Sequence, residues 1–221
     1  KDEKGTGKAT RFETVCDKWG VSGDYHEYTF GSRPDKNGDI WILACLTGSF
    51  SSDARFRGWA LRVKPDGTLV PTCGGVRSPG GVGFDADGEV YYTDNQGPWH
   101  GACTLQHLVP GSFQGHPGGN KWYELAPNMG GRPIDPQDKS RMVTERERIK
   151  ELLPPAVYMV YGGTIGQSSS AIVCDMTNGK FGPFSKQLFV TDQCNSLVSR
   201  VYLETVNGIK PVSYTHLRAH E

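Results

Sequence analysis

Short apolar runs separated by glycine- and aspartate-rich turns recur along the chain, and the clearest set lies between Arg77 and Pro117. Val82 and Phe84 alternate with glycines, which suits a short strand. Asp85-Ala86-Asp87-Gly88 is a turn signal, because Asp caps nearby backbone and Gly accepts a positive φ. Val90-Tyr91-Tyr92-Thr93 is rich in β-formers. The polar stretch from Asp94 to Trp99 follows as a loop, residues 104–109 make a third strand, and Pro110-Gly111 closes it. The pattern is a meander whose polar residues gather where strands end, the usual place for loop-borne sites.

The same grammar appears on either side. Residues 24–31 alternate aromatic and polar positions and predict a strand, with 34–38 as its turn. Residues 39–44 read as a return strand apolar on both faces, as a strand sandwiched between two packed sheets would. Residues 58–63 and 68–70 flank Lys64-Pro65-Asp66-Gly67 and predict an outer hairpin. Residues 25–72 thus form one four-stranded unit. Further on, residues 171–175, 187–192 and 199–204 predict strands of a third unit. Recurrence every ~50 residues is the signature of a β-propeller. The interval between the second and third units is stretched by residues 126–155, which are proline-rich and then helical in pattern over 143–153, stopped by Pro154-Pro155. Residues 1–9 read as a frayed end and 10–18 as an outer strand of a preceding blade.

Composition narrows the class further. The 221 residues carry no formal net charge, with 22% charged and 36% hydrophobic. That balance offers no electrostatic case for nucleic acid or an anionic membrane. The 29 glycines and 14 prolines, with many aromatics, fit an all-β chain of short strands. No apolar run reaches membrane-spanning length. The chain lacks an initiator Met, so its start reads as internal or processed. Six cysteines occur without a CxxC or CxxCH pattern, which excludes zinc ribbons and c-type haem attachment. The even count fits an oxidising compartment, and Cys73 with Cys103 is the first candidate bridge. Residues 212–221 resemble an in-frame translation of a transposase sequencing adapter and are set apart as an artefact tail. The propeller domain then covers residues 1–211, and His216 and His220 are not a metal site.

The order of motifs from Arg77 to Pro117, "Arg-x-Pro-x-Gly, Asp-Gly-x-Val-Tyr, Gln-Gly-Pro, Pro-Gly-x-Phe-x-Gly-His-Pro", resembles soluble quinoprotein glucose/sorbosone dehydrogenases. Those are six-bladed β-propellers that use pyrroloquinoline quinone (PQQ) and calcium. The resemblance extends from about Asp24 to Lys210, and is closer to large secreted bacterial propeller proteins, often fused to haem-binding domains. It implies an incomplete propeller of about three four-stranded blades with a short helical insert near 143–153. It also implies a secreted or periplasmic dehydrogenase acting on a sugar or polyol, with a haem domain or cytochrome as electron acceptor. The alternative function is a non-catalytic propeller that binds carbohydrate or a partner protein on the same face.

The resemblance assigns roles residue by residue. His26 stands before Ile40-Trp41-Ile42 as the family's general base stands before its inner strand, and an imidazole titrates in the right range for that work. Equally open is a strand histidine satisfied by a backbone carbonyl. Arg77 matches the arginine facing the quinone, or else pairs with a carboxylate between blades. Gln96 and His116 fall in the cofactor-binding loops, His116 replacing a tryptophan. Gly97 and Pro98 match a pair whose carbonyls bind calcium, a reasonable role for hard oxygen ligands; composition alone also makes 95–98 a turn. His26, His107 and His116 together are a weaker metal or haem candidate. Trp99 is a candidate sugar platform, whereas Trp122 reads as packing. Residues 191–194, Thr-Asp-Gln-Cys, carry no lysine where those dehydrogenases direct one at the quinone.

Overall fold

The computed structural model describes residues 1–24, 26–46, 52–159 and 165–204, with the backbone of Val212–Leu217. Tyr25, Lys210 and His220, which figure in the sequence reading, lie outside the described residues. Three four-stranded antiparallel sheets follow one another along the chain. The first contains β1 (Thr29–Pro34), β2 (Ile40–Ala44), β3 (Trp59–Val63) and β4 (Leu69–Gly74). The second contains β5 (Pro79–Phe84), β6 (Val90–Asp94), β7 (Cys103–His107) and β8 (Val157–Met159). The third contains β9 (Ser169–Cys174), β10 (Leu188–Asp192), β11 (Leu197–Leu203) and β12 (Val212–Leu217). Strands run in sequence order across each sheet, and β5 packs against β1 on one side and β9 on the other.

The Asp-Gly turns set the hairpins. Asp35 and Asp85 each accept two backbone N–H bonds across their turns, and Gly38 and Gly88 take the positive φ that closes them. Alternation then sends successive side chains of β6 to opposite faces. Tyr92 joins Trp41, Leu43, Ala60, Val82 and Leu108 between the first two sheets. Tyr91 joins Leu105, Val157, Ile172, Leu188 and Val190 between the second and third. The sheets approach closely because β5 presents glycines: a Cβ on Gly80 would lie 2.0 Å from the Ser169 carbonyl oxygen, and one on Gly83 would lie 2.7 Å from Ile172 Cβ.

A long strap separates β7 from β8. It passes along β4, where Gly111 N–H donates to Thr72 O and Gln114 N–H to Gly74 O. Its 3₁₀ segments Pro117–Leu125 and Pro127–Met129 then cover the far face of the first sheet. There Tyr123, Ala126 and Met129 pack on Ile42, Trp59, Leu61 and Val63, and the Trp59 indole donates to Gly119 O at 2.8 Å. The apolar second face of β2 is therefore covered by the strap.

Several details differ from the sequence reading. Residues 10–18 form no strand. The strap occupies the β4 edge, and the segment lies as coil, with Cys16 and Trp19 packed at its end. The fourth strand of the second sheet, β8, is not apparent in the sequence, because the strap hides its relation to β7. The helical pattern over 143–153 yields a helix only at Met142–Glu145, continued by hydrogen-bonded turns. Phe113 N–H takes the Glu151 carbonyl, and Ile149 and Leu152 tuck against Phe113, which bends the segment away from a regular helix. No disulfide forms between the cysteines: Cys73 Sγ faces Val109 O and Cys103 Sγ faces Gln96 Oε1, so the two do not meet. Val212–Leu217 pairs with β11 through six register positions, although its sequence resembles an adapter. Without this segment the β11 edge would be open to pairing, and Val, Tyr and Thr in the segment suit extension.

Candidate functional site

The leading ends of β1, β5 and β9 meet around a cavity of about 380 Å³. Its wall takes His26 and Tyr28 from the first sheet, Ser78 and Asn95 from the second, and Ser168 and Gln193 from the third. One backbone device repeats in all three. The residue after the second strand donates its N–H to the carbonyl just before the first strand: Cys45 to Tyr28 at 2.9 Å, Asn95 to Ser78 at 3.0 Å, and Gln193 to Ser168 at 3.0 Å. In two sheets an aspartate at the end of the second strand secures the same corner. Asp94 accepts from Arg77 N–H at 2.9 Å and Ser78 N–H at 2.6 Å. Asp192 accepts from Gln167 N–H at 2.7 Å and Ser168 N–H at 3.0 Å. Ala44 holds the corresponding register position in the first sheet, where Glu27 N–H instead reaches Asp24 O.

His26 is the sequence candidate that borders this cavity. Its N–H donates to Asp24 Oδ1 at 2.9 Å and its Nδ1 lies 3.9 Å from the same oxygen. The Asp24 carboxylate fixes the backbone, and the partly exposed ring stands at the cavity wall. Hydroxyls and amides supply the remaining polar surface, and among the described residues no Lys or Arg lines it.

Arg77 adjoins Ser78 but turns its guanidinium beneath the following loop. Nη1 donates to Gln96 O at 2.8 Å and Asn95 O at 3.3 Å. Gly97 permits this contact, since a Cβ there would lie 2.1 Å from Arg77 Nη2. The Gln96 side chain accepts from Cys103 Sγ at 2.8 Å. Gly97 exchanges two backbone bonds with His100, and Pro98 is exposed. His116 is fully buried behind that loop, with Nδ1 accepting from Gly118 N–H at 3.1 Å and its ring edge-on to Trp99. Burial, then His100 and Arg77, push its imidazole down to about 3. Burial likewise lowers His100, against the pull of Asp94.

The sequence candidates therefore separate into two groups. His26 faces the cavity, while Arg77, Gln96, Gly97 and His116 build the scaffold of the neighbouring loop. His107 stands apart from both, stacked on Tyr91 with Nε2 at 3.0 Å from Glu89. Among the described residues, no group of three or more His, Cys, Asp or Glu side chains is arranged to hold a metal. Ser78 and residues 168–170 escaped sequence reasoning. The signal that marks them is the alignment of Asp94-Asn95 with Asp192-Gln193, each ending a second strand.

No protein-family model matches the chain, and no curated protein matches it. Solved structures do. A putative oxidoreductase (glucose dehydrogenase) from Thermus thermophilus is 16% identical, with a TM-score of 0.51 over 80% of this chain and 48% of its own. The PQQ-bound form of aldose sugar dehydrogenase from Streptomyces coelicolor is 13% identical, with a TM-score of 0.50 over 84% of this chain and 49% of its own. The fold is an incomplete β-propeller. The three sheets are its blades, and the chain spans about half the length of these structures. At such identity the likeness carries the fold alone. Among the described residues, no helix is long and apolar enough to cross a membrane.

Proposed function

We propose that this is a sugar-dehydrogenase-like propeller whose axial cavity receives a hydroxyl of a sugar or polyol, with His26 as the base. The supporting observation is the convergence of His26 with Ser78, Asn95, Ser168 and Gln193 at the leading ends of consecutive inner strands. Such a wall matches the alternating donors and acceptors of a polyol. His26, its backbone fixed by the Asp24 turn, would accept a hydrogen bond from that hydroxyl and, where a hydride acceptor is bound, take its proton as the hydride leaves the same carbon. A secreted or periplasmic setting and a haem-domain or cytochrome acceptor belong to this reading.

PQQ would supply the hydride acceptor. Its carboxylates call for cations, yet among the described residues no Lys or Arg lines the cavity, and Arg77 is engaged by the Asn95 and Gln96 carbonyls. Calcium at Gly97 and Pro98 would face the Arg77 guanidinium packed on Gly97, whose carbonyl already accepts from His100. The described residues do not fit either group, and no step is routed through them. That misfit favours the second reading, in which the same cavity binds carbohydrate without oxidising it.

Two measurements divide the readings. Calorimetric titration of a sugar and polyol panel tests binding. Dye-linked oxidation of the same panel, with and without added PQQ and calcium, tests turnover. Turnover that falls roughly 10²–10⁴-fold in His26→Ala supports the base. Saturable binding without turnover supports the second reading, and absence of both rejects the cavity as a sugar site.

A further inference from the structure

The three sheets pack on one another by a single rule. The first strand of each following sheet lies over the first and second strands of the sheet before it: β5 packs on β1 and β2, and β9 packs on β5 and β6. The second strands carry the surface that receives it. Trp41, Tyr91 and Phe189 hold equivalent positions, in the same relation to Ala44, Asp94 and Asp192 at the strand ends. Trp41 enters the core shared with the second sheet, and Tyr91 the core shared with the third. Next on the same face, Thr93 Oγ1 donates to Ser170 O of β9 at 2.8 Å, and Thr191 stands at the equivalent position of β10.

The third sheet repeats this receiving surface but leaves it exposed. Leu188 and Val190 turn toward the second sheet, so alternation turns Phe189 outward, with Val173 beside it in register. Val173 is 54% exposed, Phe181 62% and Tyr202 46%. Phe181 and Phe184 pack edge-on against Phe189 and extend the apolar patch. Such a patch marks a protein contact. The opposite end of the stack differs. There the strap seals the far face of β2 and β3 but leaves β1 exposed, with Phe30 turned inward. β1 is a first strand, the element that the groove over β9 and β10 is shaped to take. Its Gly31-Ser32 stretch is small, as are Gly80-Gly81 of β5 and Ser169-Ser170-Ala171 of β9, where sheets already approach closely.

We propose that two copies of this chain close one ring, the β1 strand of each lying over β9 and β10 of the other. The chain spans 48% and 49% of the two solved propellers described above, so two copies supply the length of one. Two identical head-to-tail contacts about a two-fold axis leave neither end of the stack open. The second copy also finishes the axial cavity, which one copy walls with the leading ends of β1, β5 and β9. The inference holds whatever that cavity binds.

Sedimentation velocity of the full chain tests it. The wild type is expected as a two-chain particle with a Kd below about 10 µM. Val173→Lys and Thr29→Asp alter exposed positions, one on each side of the contact. Each variant should keep the wild-type circular dichroism spectrum and sediment as one chain, its association weakened at least about 100-fold by an unpaired charge in an apolar contact. Mixing the two variants should restore the pair, because one contact is then wild type on both sides and the other sets an introduced lysine against an introduced aspartate. Persistence of the pair in either variant overturns the proposal; a face-to-face dimer of third sheets would persist in Thr29→Asp. A one-chain wild type at about 100 µM also overturns it, and would assign the groove to a blade from outside this chain. So does a ladder of larger species, since the contact would then fail to close.

Discussion

Replacing Asp94 by alanine is expected to remove one of the largest single polar contributions to the fold. The side chain is fully buried at the end of β6 and accepts three hydrogen bonds, from Arg77 N–H, Ser78 N–H and the Tyr92 hydroxyl. A buried donor left without its acceptor costs about 1–3 kcal/mol. Ser78 borders the cavity, whereas the Tyr92 hydroxyl stays buried between blades. The net loss should be about 3–5 kcal/mol for Asp94→Ala and about 2 kcal/mol for Asp94→Asn, which keeps one acceptor oxygen. Urea unfolding followed by circular dichroism measures both, with an unchanged slope showing that the transition remains comparable. Tyr92→Phe supplies the control. In combination with Asp94→Ala it should cost less than the sum of the two, because the hydroxyl is then no longer stranded. A loss under about 1 kcal/mol for Asp94→Ala would refute the view that this carboxylate secures the corner.

Three further outcomes are expected. Gly83→Ala should cost about 2–3 kcal/mol in thermal unfolding, because its Cβ would press on Ile172, while Gly23→Ala, which meets nothing within 4 Å, should be nearly silent; equal effects would remove the close-approach argument. His116 is held down to about 3 against an ordinary 6.5, so the unfolded chain takes a proton that the native chain refuses, and stability falls as pH drops from 6.5 toward 3. The fall should reach about 2 kcal/mol by about pH 5, and His116→Gln should flatten that slope in urea titrations; an unaltered slope would reject the assignment. Deleting residues 212–221 should lower stability by less than about 1 kcal/mol if the tail is adapter-encoded sequence filling an open edge, and a larger loss would assign its strand to the natural blade.

The hairpins were legible because their information is local. Asp85 and Gly88 need only each other and the backbone between them, and the same holds for Asp35 with Gly38. The alternation of Tyr91 and Tyr92 across two faces follows from strand geometry alone. Relations between distant segments were not legible. β8 pairs with β7 across the strap, and nothing in Val157–Met159 names Cys103–His107 as its partner. Cys73 and Cys103 looked pairable by position along the chain, yet they belong to β4 and β7, with separate neighbours. His26 was singled out by a family resemblance, its position before the next strand, and that relation left its surroundings open. The orientation of Arg77 depended on Gly97, whose missing Cβ admits the guanidinium. Ser78 and Ser168 gain meaning only when the aspartate-secured corners of two blades are superimposed.

The strap also imposes an order of assembly. The first blade pairs consecutive strands through loops of modest length, so most of its ladder closes cheaply. The second blade cannot be completed until Val157–Met159 has returned to β7, and the intervening chain is the part that seals the first blade's far face. Docking Tyr123 and Met129 on Trp59 shortens the remaining search by β8, turning a distant pairing into a nearer one. A ribosome-bound chain that has not yet released residue 157 would hold a finished first blade beside a middle sheet whose β7 edge is still open, and that edge is where misassembly would begin.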